Sequence, residues 1–368
     1  MSNSLHESII SPKIPTVNQQ ARHRSIDLFA GAGLLGQAFR EAGFHAALAV
    51  EADHRARTSY AKNVGADEIS DDVRRVRKGV SASLVLAGPP CQGFSTLGKR
   101  DHSDERNSLS LCVSDWARSS NAQVVVVENV PPFLQSRHWA LLKRRMQRMG
   151  YECTQWVLNA ADFGAPQLRV RAFGVFSRIG LPERPVPTVT THTTVRQAFK
   201  GLSEEPDETG LHVAPKPGAL ALSRFLVIPE SGDKRDVMRA APHLCPPSWQ
   251  RLGPQATDVW GRVELDAPAN TLRCSFQNAS KGRYVHPTAH RVLTLREGAR
   301  IQGVPDSWEF AGDRMSIARQ IGNGVPLALG RAVASSIAVL FTDDRDRDSA
   351  QVQPLPAPLV KRHRTSGR

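Results

Sequence analysis

The 368-residue sequence has few cysteines and lacks any long apolar run. Its five cysteines form no CxxC pair, and their odd number indicates neither a disulfide framework nor a zinc site. The longest apolar runs, such as the four valines at 124–127, have the length of a sheet strand and not of a membrane span. The N-terminus lacks the basic region and apolar core of a signal peptide. We therefore expect a cytoplasmic protein that contacts no membrane and holds no metal.

Acidic residues are scarce relative to basic ones. The chain has 48 lysines and arginines against 35 aspartates and glutamates, which gives a formal net charge of +13. Such an excess suits a polyanionic partner, because each neutralised phosphate releases counterions. A soluble basic protein without such a partner has the same balance, so the charge by itself identifies no ligand.

Regular patterning is missing at both ends of the chain. Residues 1–22 are polar and residues 343–368 are charged and Pro-rich, so we expect a disordered arm and a disordered tail.

Between 23 and 178, short apolar runs alternate with amphipathic stretches. This predicts an α/β fold with a doubly wound, mostly parallel, Rossmann-like sheet. Residues 179–290 lose the alternation and predict a smaller inserted domain. The apolar residues of 34–42 share one helical face, and Gly43 stands where a helix C-cap belongs. Helical patterning returns at 291–342, where Leu329, Val333 and Ile337 share a face, and we expect this last helix to pack on the first domain.

One predicted strand leads directly to a reactive side chain. The predicted strands are SIDLFA, AALAV, SLVLAG, VVVVEN and RAFGVF. The third of them ends at Gly88 and is followed by Pro89, Pro90 and Cys91. Prolines restrict the backbone, so Cys91 is delivered to one place at the carboxyl end of a strand, where open α/β sheets bind ligands. A buried loop cysteine fits this stretch equally well.

A glycine-containing turn and two acids predict a nucleotide-like ligand. DLFAGAG (27–33) has the order strand, turn, helix, but it is neither the GxGxxG fingerprint nor a Walker motif. Glu51 ends the next predicted strand, where an acid accepts hydrogen bonds from ribose hydroxyls. Asp72 follows the presumed third strand, although a solvated turn acid or helix cap explains it as well. These positions favour a ligand with a ribose and an adenine.

Seven stretches occur in the order typical of one enzyme family. They are DLFAGAG (27–33), GPPCQGFS (88–95), DERNSL (104–109), ENV (128–130), ADFGAPQLRVRAFGV (161–175), HRVLTLREGARIQGVP (290–305) and QIGNGVP (320–326). Together they resemble the motifs of the cytosine-C5 DNA methyltransferases, over roughly residues 24–340. The resemblance implies methyl transfer from S-adenosylmethionine to C5 of a flipped-out cytosine in a specific duplex sequence, through a covalent Cys91–C6 intermediate.

The resemblance also implies which residues carry the function. Cys91 is the nucleophile, Glu128 faces N3 and N4 of the cytosine, and Arg169 and Arg171 hold its O2 and nearby charge. The implied cofactor-binding residues are Phe29, Ala30, Gly31, Ala32, Gly33, Glu51, Asp72, Val73, Pro90, Leu109, Asn323 and Val325. The implied DNA-binding residues are Lys99, Arg100, Thr271, Leu272 and Arg273, while Asn278, Lys281 and Arg283 are further candidates for reading bases.

Each of these residue types also has an ordinary structural explanation. A strand-end salt bridge explains Glu128, and a basic surface strand explains the two arginines. The sequence also departs from the family pattern. Leu34 stands where glycine is frequent, Ala52 stands where some members have tryptophan, and GNGVP replaces the commoner GNAVP.

The resemblance implies a monomeric, bacterial-type DNA methyltransferase of a restriction–modification system, with any cognate endonuclease a separate protein. A tRNA cytosine-C5 methyltransferase on the same scaffold and a catalytically silent DNA-binding regulator are the alternatives.

Overall fold

A seven-stranded sheet forms the centre of the computed structural model, which describes residues 23–90, 109–203, 205–252 and 258–342. The strand order across the sheet is β3-β2-β1-β4-β5-β7-β6. The strands are β1 His23–Leu28, β2 Phe44–Val50, β3 Glu68–Ser70, β4 Leu84–Ala87, β5 Val124–Asn129, β6 Glu152–Asn159 and β7 Val170–Ser177.

The direction of the strands confirms the predicted fold class. Strands β1 to β5 pair in parallel, whereas β7 runs antiparallel between β5 and β6. The sequence did not predict β6. This edge strand buries Trp156 and Leu158 but exposes Val157 between them, and its first half is mostly polar, so its apolar run is only three residues long.

Helices cover both faces of the sheet. Along the chain they are α1 Leu34–Glu41, α2 His54–Asn63, α3 Cys112–Ser120, α4 Arg137–Arg148, α5 Val195–Phe199, α6 Ala219–Val227, α7 Lys234–Ala240, α8 Pro247–Leu252, α9 Leu295–Ile301, α10 Arg314–Asn323 and α11 Leu327–Ala338. Strand alternation in β4 decides what each face contacts. Leu84 and Leu86 pack with α1 and α11, whereas Val85 and Ala87 pack with α3 and α4.

The predicted ends and faces of two helices are confirmed. Helix α1 is followed by Gly43, whose φ of +92° is the left-handed conformation that favours glycine after a helix. In α11, the predicted apolar face of Leu329, Val333 and Ile337 is fully buried against the sheet. Helix α11 therefore packs on the same layer as α1.

The region 179–290 combines a small core of its own with a surface that joins the rest of the chain. Phe225, Val237 and Trp260 belong to a separate apolar cluster within this region. Leu272 and Tyr284, in contrast, share a core with residues of α1, α2, α9 and α10. In its described part the region contains short helices and isolated bridges but no strand. The domain boundaries given above stay a prediction.

No single helix in the described ranges is both long and apolar enough to cross a membrane. Helices α10 and α11 would pass that test only as a pair, on length and composition, with a 42° bend between them. Half of the residues of α11 and most of those of α10 lie buried in the protein.

Two departures from the family pattern contact each other. A Cβ atom at Gly324 would lie 2.7 Å from Cδ2 of Leu34, which is closer than such atoms approach in folded proteins. Leu34 is buried at the start of α1, and Gly324 follows α10. Leu34 is larger than the glycine frequent in the family, and Gly324 is smaller than the alanine of GNAVP. The two departures therefore compensate each other in volume.

We predict that Gly324→Ala destabilises the protein by about 1–3 kcal/mol through overpacking, and that this cost shrinks in a Leu34→Ala background. Urea denaturation of the four variants measures the coupling. Gly218→Ala is the matched control, because Gly218 has nearly the same extended backbone (φ −67°, ψ 161°, against −62° and 153°) and open space around it. An equal cost of Gly324→Ala in both backgrounds would contradict the contact.

Candidate active site

The carboxyl ends of β1, β4 and β5 bring three motifs to one edge of the sheet. A Cβ placed on Gly88 would lie 3.7 Å from Oε2 of Glu128 and 3.8 Å from the carbonyl oxygen of Phe29. The Pro89–Pro90 segment follows directly, and Pro90 is the last described residue before Cys91. Cys91, Lys99 and Arg100 lie outside the described residues. The described part of the edge therefore groups Phe29, Gly88 and Glu128.

Glu128 lies in a largely buried ion pair. Its Oε1 is 3.0 Å from Nε of Arg171, and both side chains are about one-seventh exposed. Burial raises the pKa of Glu128 above its usual range, although Arg171 and Arg169 both oppose the rise. A carboxyl group with a raised pKa keeps its proton at higher pH than an ordinary glutamate. It is therefore suited to donate that proton to a substrate nitrogen.

The antiparallel direction of β7 makes this pair possible. Glu128 and Arg171 occupy the end of β5 and the beginning of β7, and Glu128 is paired in register with Phe173. Arg171 Nη1 also donates to the carbonyl oxygen of Val170 at 2.8 Å, which fixes the guanidinium beside the strand. The two residues therefore meet across neighbouring strands at the same edge of the sheet.

Arg169 has a different environment from Arg171, although the sequence predicted that both contact the cytosine. It precedes β7 and is only 1% exposed. Its Nη1 and Nη2 each donate at 2.8 Å, to the carbonyl oxygens of Leu272 and Gly322. Arg169 thus ties the strand β7 to the Thr271–Arg273 segment and to α10. Its predicted contact with the substrate stays a prediction.

Two buried glutamines continue this connection. Gln167 donates to Oε1 of Gln302 at 2.7 Å and accepts the N–H of Leu272 at 2.8 Å. Gln302 in turn donates to the carbonyl oxygen of Ile321. Gln302 lies in the stretch 290–305, which resembles a family motif, but no role was predicted for it. Its position directly after α9 gives no sequence signal that it would meet Gln167.

Gly322 allows α10 to approach the Thr271–Arg273 segment at backbone distance. A Cβ at this position would lie 2.5 Å from the backbone nitrogen of Cys274. Thr271 Oγ1 donates to the carbonyl oxygen of Leu168 at 2.7 Å, and Leu272 is buried. The Thr271–Arg273 segment therefore lies between α10 and the residues that precede β7.

The turn after β1 and the end of β2 form an open cradle. Oε2 of Glu51 accepts the N–H of Gly31 at 2.8 Å, and Oε1 accepts the N–H of Asp53 at 2.9 Å. Gly31 has a φ of +56°, and a Cβ there would meet nothing within 4 Å. Phe29 also has a positive φ, of 56°. Exposed backbone beside a strand-end carboxylate fits a ribose-containing ligand.

The other residues predicted to bind the cofactor lie around this cradle or in the core. Ala32 and Gly33 are buried, and the N–H of Gly33 donates to the carbonyl oxygen of Ala30 at 3.0 Å. Leu109 packs beside Phe29 on the β1 and β4 core, whereas Val325 lies in the core under α11. Asn323 is exposed and accepts from Sγ of Cys274 at 2.8 Å.

Asp72 is engaged by neighbouring arginines. Its carboxylate accepts from Nε and Nη2 of Arg74, at 2.9 and 3.0 Å, and these hydrogen bonds are the main reason that its pKa is lowered. The next residue, Val73, is buried, and its carbonyl oxygen accepts from Nε1 of Trp116 at 2.7 Å. Asp72 is therefore anionic and paired before any ligand binds.

Within the described ranges, no group of three or more histidine, cysteine or acidic side chains is arranged to hold a metal ion. Glu128 and Arg171 are ionisable side chains that the described part of this sheet edge does bring together.

Comparison with known proteins agrees with this geometry. A family model described as C-5 cytosine-specific DNA methylase matches residues 23–216 and 234–339. The chain belongs to the C-5 cytosine-specific DNA methylase family. This confirms the resemblance found in the sequence and makes the protein a DNA cytosine-C5 methyltransferase.

Several relatives of this family match over most of their length. Type II methyltransferase M.XorII of Xanthomonas oryzae pv. oryzae is 31% identical, over 85% of this chain and 84% of the relative. Type II methyltransferase M1.HphI of Haemophilus parahaemolyticus is 30% identical, over 87% of each chain. Among solved structures, methyltransferase EhMeth of Entamoeba histolytica has a TM-score of 0.64 at 14% identity, over 88% of this chain and 100% of that one. Dnmt2 methyltransferase of S. pombe has a TM-score of 0.61 at 18% identity, over 87% and 98%. These two structures share the fold.

Asn129 lies next to Glu128 in the ENV stretch of this methylase, but its residue type and position did not predict a role. It is 3% exposed, and its Nδ2 donates to the carbonyl oxygen of Pro89 at 3.1 Å. Its Oδ1 accepts the N–H of Val130 at 2.8 Å. The end of β5 thereby holds the proline segment that leads to Cys91.

We predict that Asn129→Ala and Asn129→Asp both lower kcat by about five- to a hundredfold, because the carbonyl group of Pro89 loses its donor at a cost of about 1–3 kcal/mol. The aspartate variant keeps the acceptor for Val130, so it isolates the bond to Pro89. KM for the methyl donor should stay within about twofold in both variants. Full kcat in Asn129→Asp, in a steady-state methylation assay, would show that the bond from Asn129 to Pro89 does not position the proline segment for catalysis.

Proposed function

We propose that this methylase transfers a methyl group from S-adenosylmethionine to C5 of a cytosine flipped out of a specific duplex DNA sequence, through a covalent bond between Cys91 and C6. The observation that supports it most is the buried Glu128–Arg171 pair next to the proline segment that precedes Cys91. A raised pKa at Glu128 and a nucleophile that directly follows the neighbouring proline segment in the chain are what attack on a pyrimidine ring requires.

The proposed chemistry activates an unreactive ring position. The Cys91 thiolate forms a bond to C6, the electrons of the C5–C6 double bond move toward C5, and Glu128 gives a proton to N3. Arg171 keeps the glutamate side chain in place and neutralises the carboxylate once the proton has left. After methyl transfer a base removes the proton from C5, the thiolate leaves C6 as the double bond reforms, and N3 returns its proton to Glu128.

The residues of the open cradle fit S-adenosylmethionine. When bound, this cofactor supplies a methyl group on a positively charged sulfur. Glu51 would accept hydrogen bonds from its ribose hydroxyls, and Phe29 would stack on its adenine. The turn at Ala30–Gly33 would allow close approach of the backbone, since a Cβ at Gly31 would meet only open space.

Recognition of duplex DNA is assigned to the region 179–290. The chemical residues lie elsewhere and cannot distinguish the bases that flank the target, so specificity needs side chains that reach base edges. The names of the two bacterial relatives, Type II methyltransferases, support a role in a restriction–modification system with a separate endonuclease. We propose that the protein works as a monomer.

Bisulfite sequencing of plasmid DNA from expressing cells tests the proposed function. In cells with the wild-type protein, we predict that one cytosine of a short sequence resists bisulfite conversion at every copy of that sequence. With Cys91→Ser no cytosine should resist conversion, because the serine hydroxyl is a far weaker nucleophile. The purified Cys91→Ser protein should still bind S-adenosylmethionine in a calorimetric titration, because the proposed contacts with the ribose and adenine come from Glu51 and Phe29. Methylation of tRNA in place of duplex DNA, or turnover by the serine variant, would overturn the proposal.

A second prediction follows from the raised pKa of Glu128. The proton is present below that pKa and is lost above it, so the wild-type rate of methyl transfer should fall as pH rises through it. Glu128→Gln should lower the single-turnover rate by about 10²–10⁴-fold and remove this alkaline decrease, since an amide does not titrate. The control is Glu152→Gln, an exposed glutamate at the start of β6. An unchanged alkaline decrease in Glu128→Gln would exclude this residue as its source.

A further inference from the structure

A surface pocket of about 320 Å³ lies beside the segment that Gly322 and Gln167 hold in place. Its lining includes Leu168, Asp258, Asn270, Thr271, Arg273 and Tyr284. Leu168 is three residues from Arg171, so an extended chain of roughly 10 Å separates the pocket from the Glu128 pair. The pocket is therefore close to the site but separate from it.

Hydrogen bonds hold both the backbone and the guanidinium group of Arg273. Its backbone N–H donates to the hydroxyl oxygen of buried Tyr284 at 3.2 Å. Its Nη2 donates to Oδ2 of Asp258 at 3.2 Å, and its Nη1 donates to the carbonyl oxygen of Lys281 at 2.9 Å. Both side chains of the ion pair are 38% exposed. A guanidinium has five N–H donors, so three remain for a ligand in a side chain that is already oriented.

Two of the other candidates for base reading, Arg283 and Asn278, are engaged by the protein itself. Arg283 lines the same pocket, but its side chain is only 13% exposed and donates to Asp233, Glu264 and backbone carbonyls. Asn278 uses its side-chain oxygen to accept from the backbone and hydroxyl of Ser280. Arg273 is the candidate that combines an exposed guanidinium with a fixed position.

We propose that Arg273 reads the major-groove edge of a guanine in this pocket, with Asp258 as a positioning residue. The inference rests on the proposed function, since it requires duplex DNA at the adjacent site. Guanine presents two acceptors, O6 and N7, which match the arginine fork. The carboxylate of Asp258 would repel a phosphate group but not the neutral edge of a base. The pocket is therefore a base-reading site and not a backbone contact.

The test uses the full-length enzyme, S-adenosylmethionine and a duplex library randomised around a fixed cytosine. Products are sequenced after bisulfite treatment to give the relative kcat/KM for each base at each position. Wild type should require guanine at one position, and Arg273→Ala should reduce that preference by roughly ten- to a hundredfold while other positions keep theirs. Arg239→Ala, which removes an exposed arginine that pairs with Asp236 outside the pocket, should leave every preference unchanged.

Two further variants keep the test informative if Arg273→Ala fails to fold. Arg273→Lys keeps the charge but lacks the planar fork, so the guanine preference should still fall. Asp258→Asn should weaken the same preference and no other. A uniform loss of activity with all base preferences intact, in either Arg273 variant, would identify a phosphate contact and overturn the inference. No methylation of any duplex by the wild type would overturn the proposed function together with it.

Discussion

Buried hydrogen bonds from Gln167 and Arg169 join the parts of this protein that must act together. The short segment before β7 donates to carbonyl groups in the region 179–290 and in α10, and it accepts from the backbone of Leu272. Unpaired polar groups in such an interior would be costly, so each partner must stay in place for the others to be satisfied. The same chain segment then continues to Arg171 and the Glu128 pair. The Glu128–Arg171 edge and the Thr271–Arg273 segment, to which we assign catalysis and recognition in our proposals, are therefore parts of one connected structure.

Some arginines of this basic chain make structural contacts inside the protein. Arg262 is 2% exposed and donates to the carbonyl oxygens of Phe225, Ile228, His286 and Ala289. Arg224 lies over the rings of Trp249 and Trp260, with 5.1 and 4.8 Å between the guanidinium carbon and the ring centres. These arginines replace regular hydrogen bonding in a region whose described part has no strand. Consequently the net charge of +13 overstates the positive surface that the protein offers to DNA.

Local patterning predicted the elements of the fold but not the contacts between distant segments. Apolar runs and helix ends identified most of the sheet, α1 and α11, because those signals depend on near neighbours. The edge strand β6 had no such signal. The separate environments of Arg169 and Arg171 could not be predicted either, because they depend on Leu272 and Gly322, more than 100 residues away. For the same reason the sequence identified Leu34 and Gly324 as unusual without indicating that they touch.

The antiparallel strand β7 has a consequence for how this enzyme can vary. In a parallel strand, Arg171 at the beginning would lie at the edge opposite to Glu128. Because β7 runs the other way, the distance between the two groups depends on one strand register. A slip of a single residue would turn Arg171 to the other face of the sheet. Insertions and deletions within β6, β7 or the segment between them should therefore be selected against far more strongly than changes of length in the region 179–290. The region 179–290, to which we assign target recognition in our proposal, can then change in length while the strand register that joins Glu128 and Arg171 stays constant.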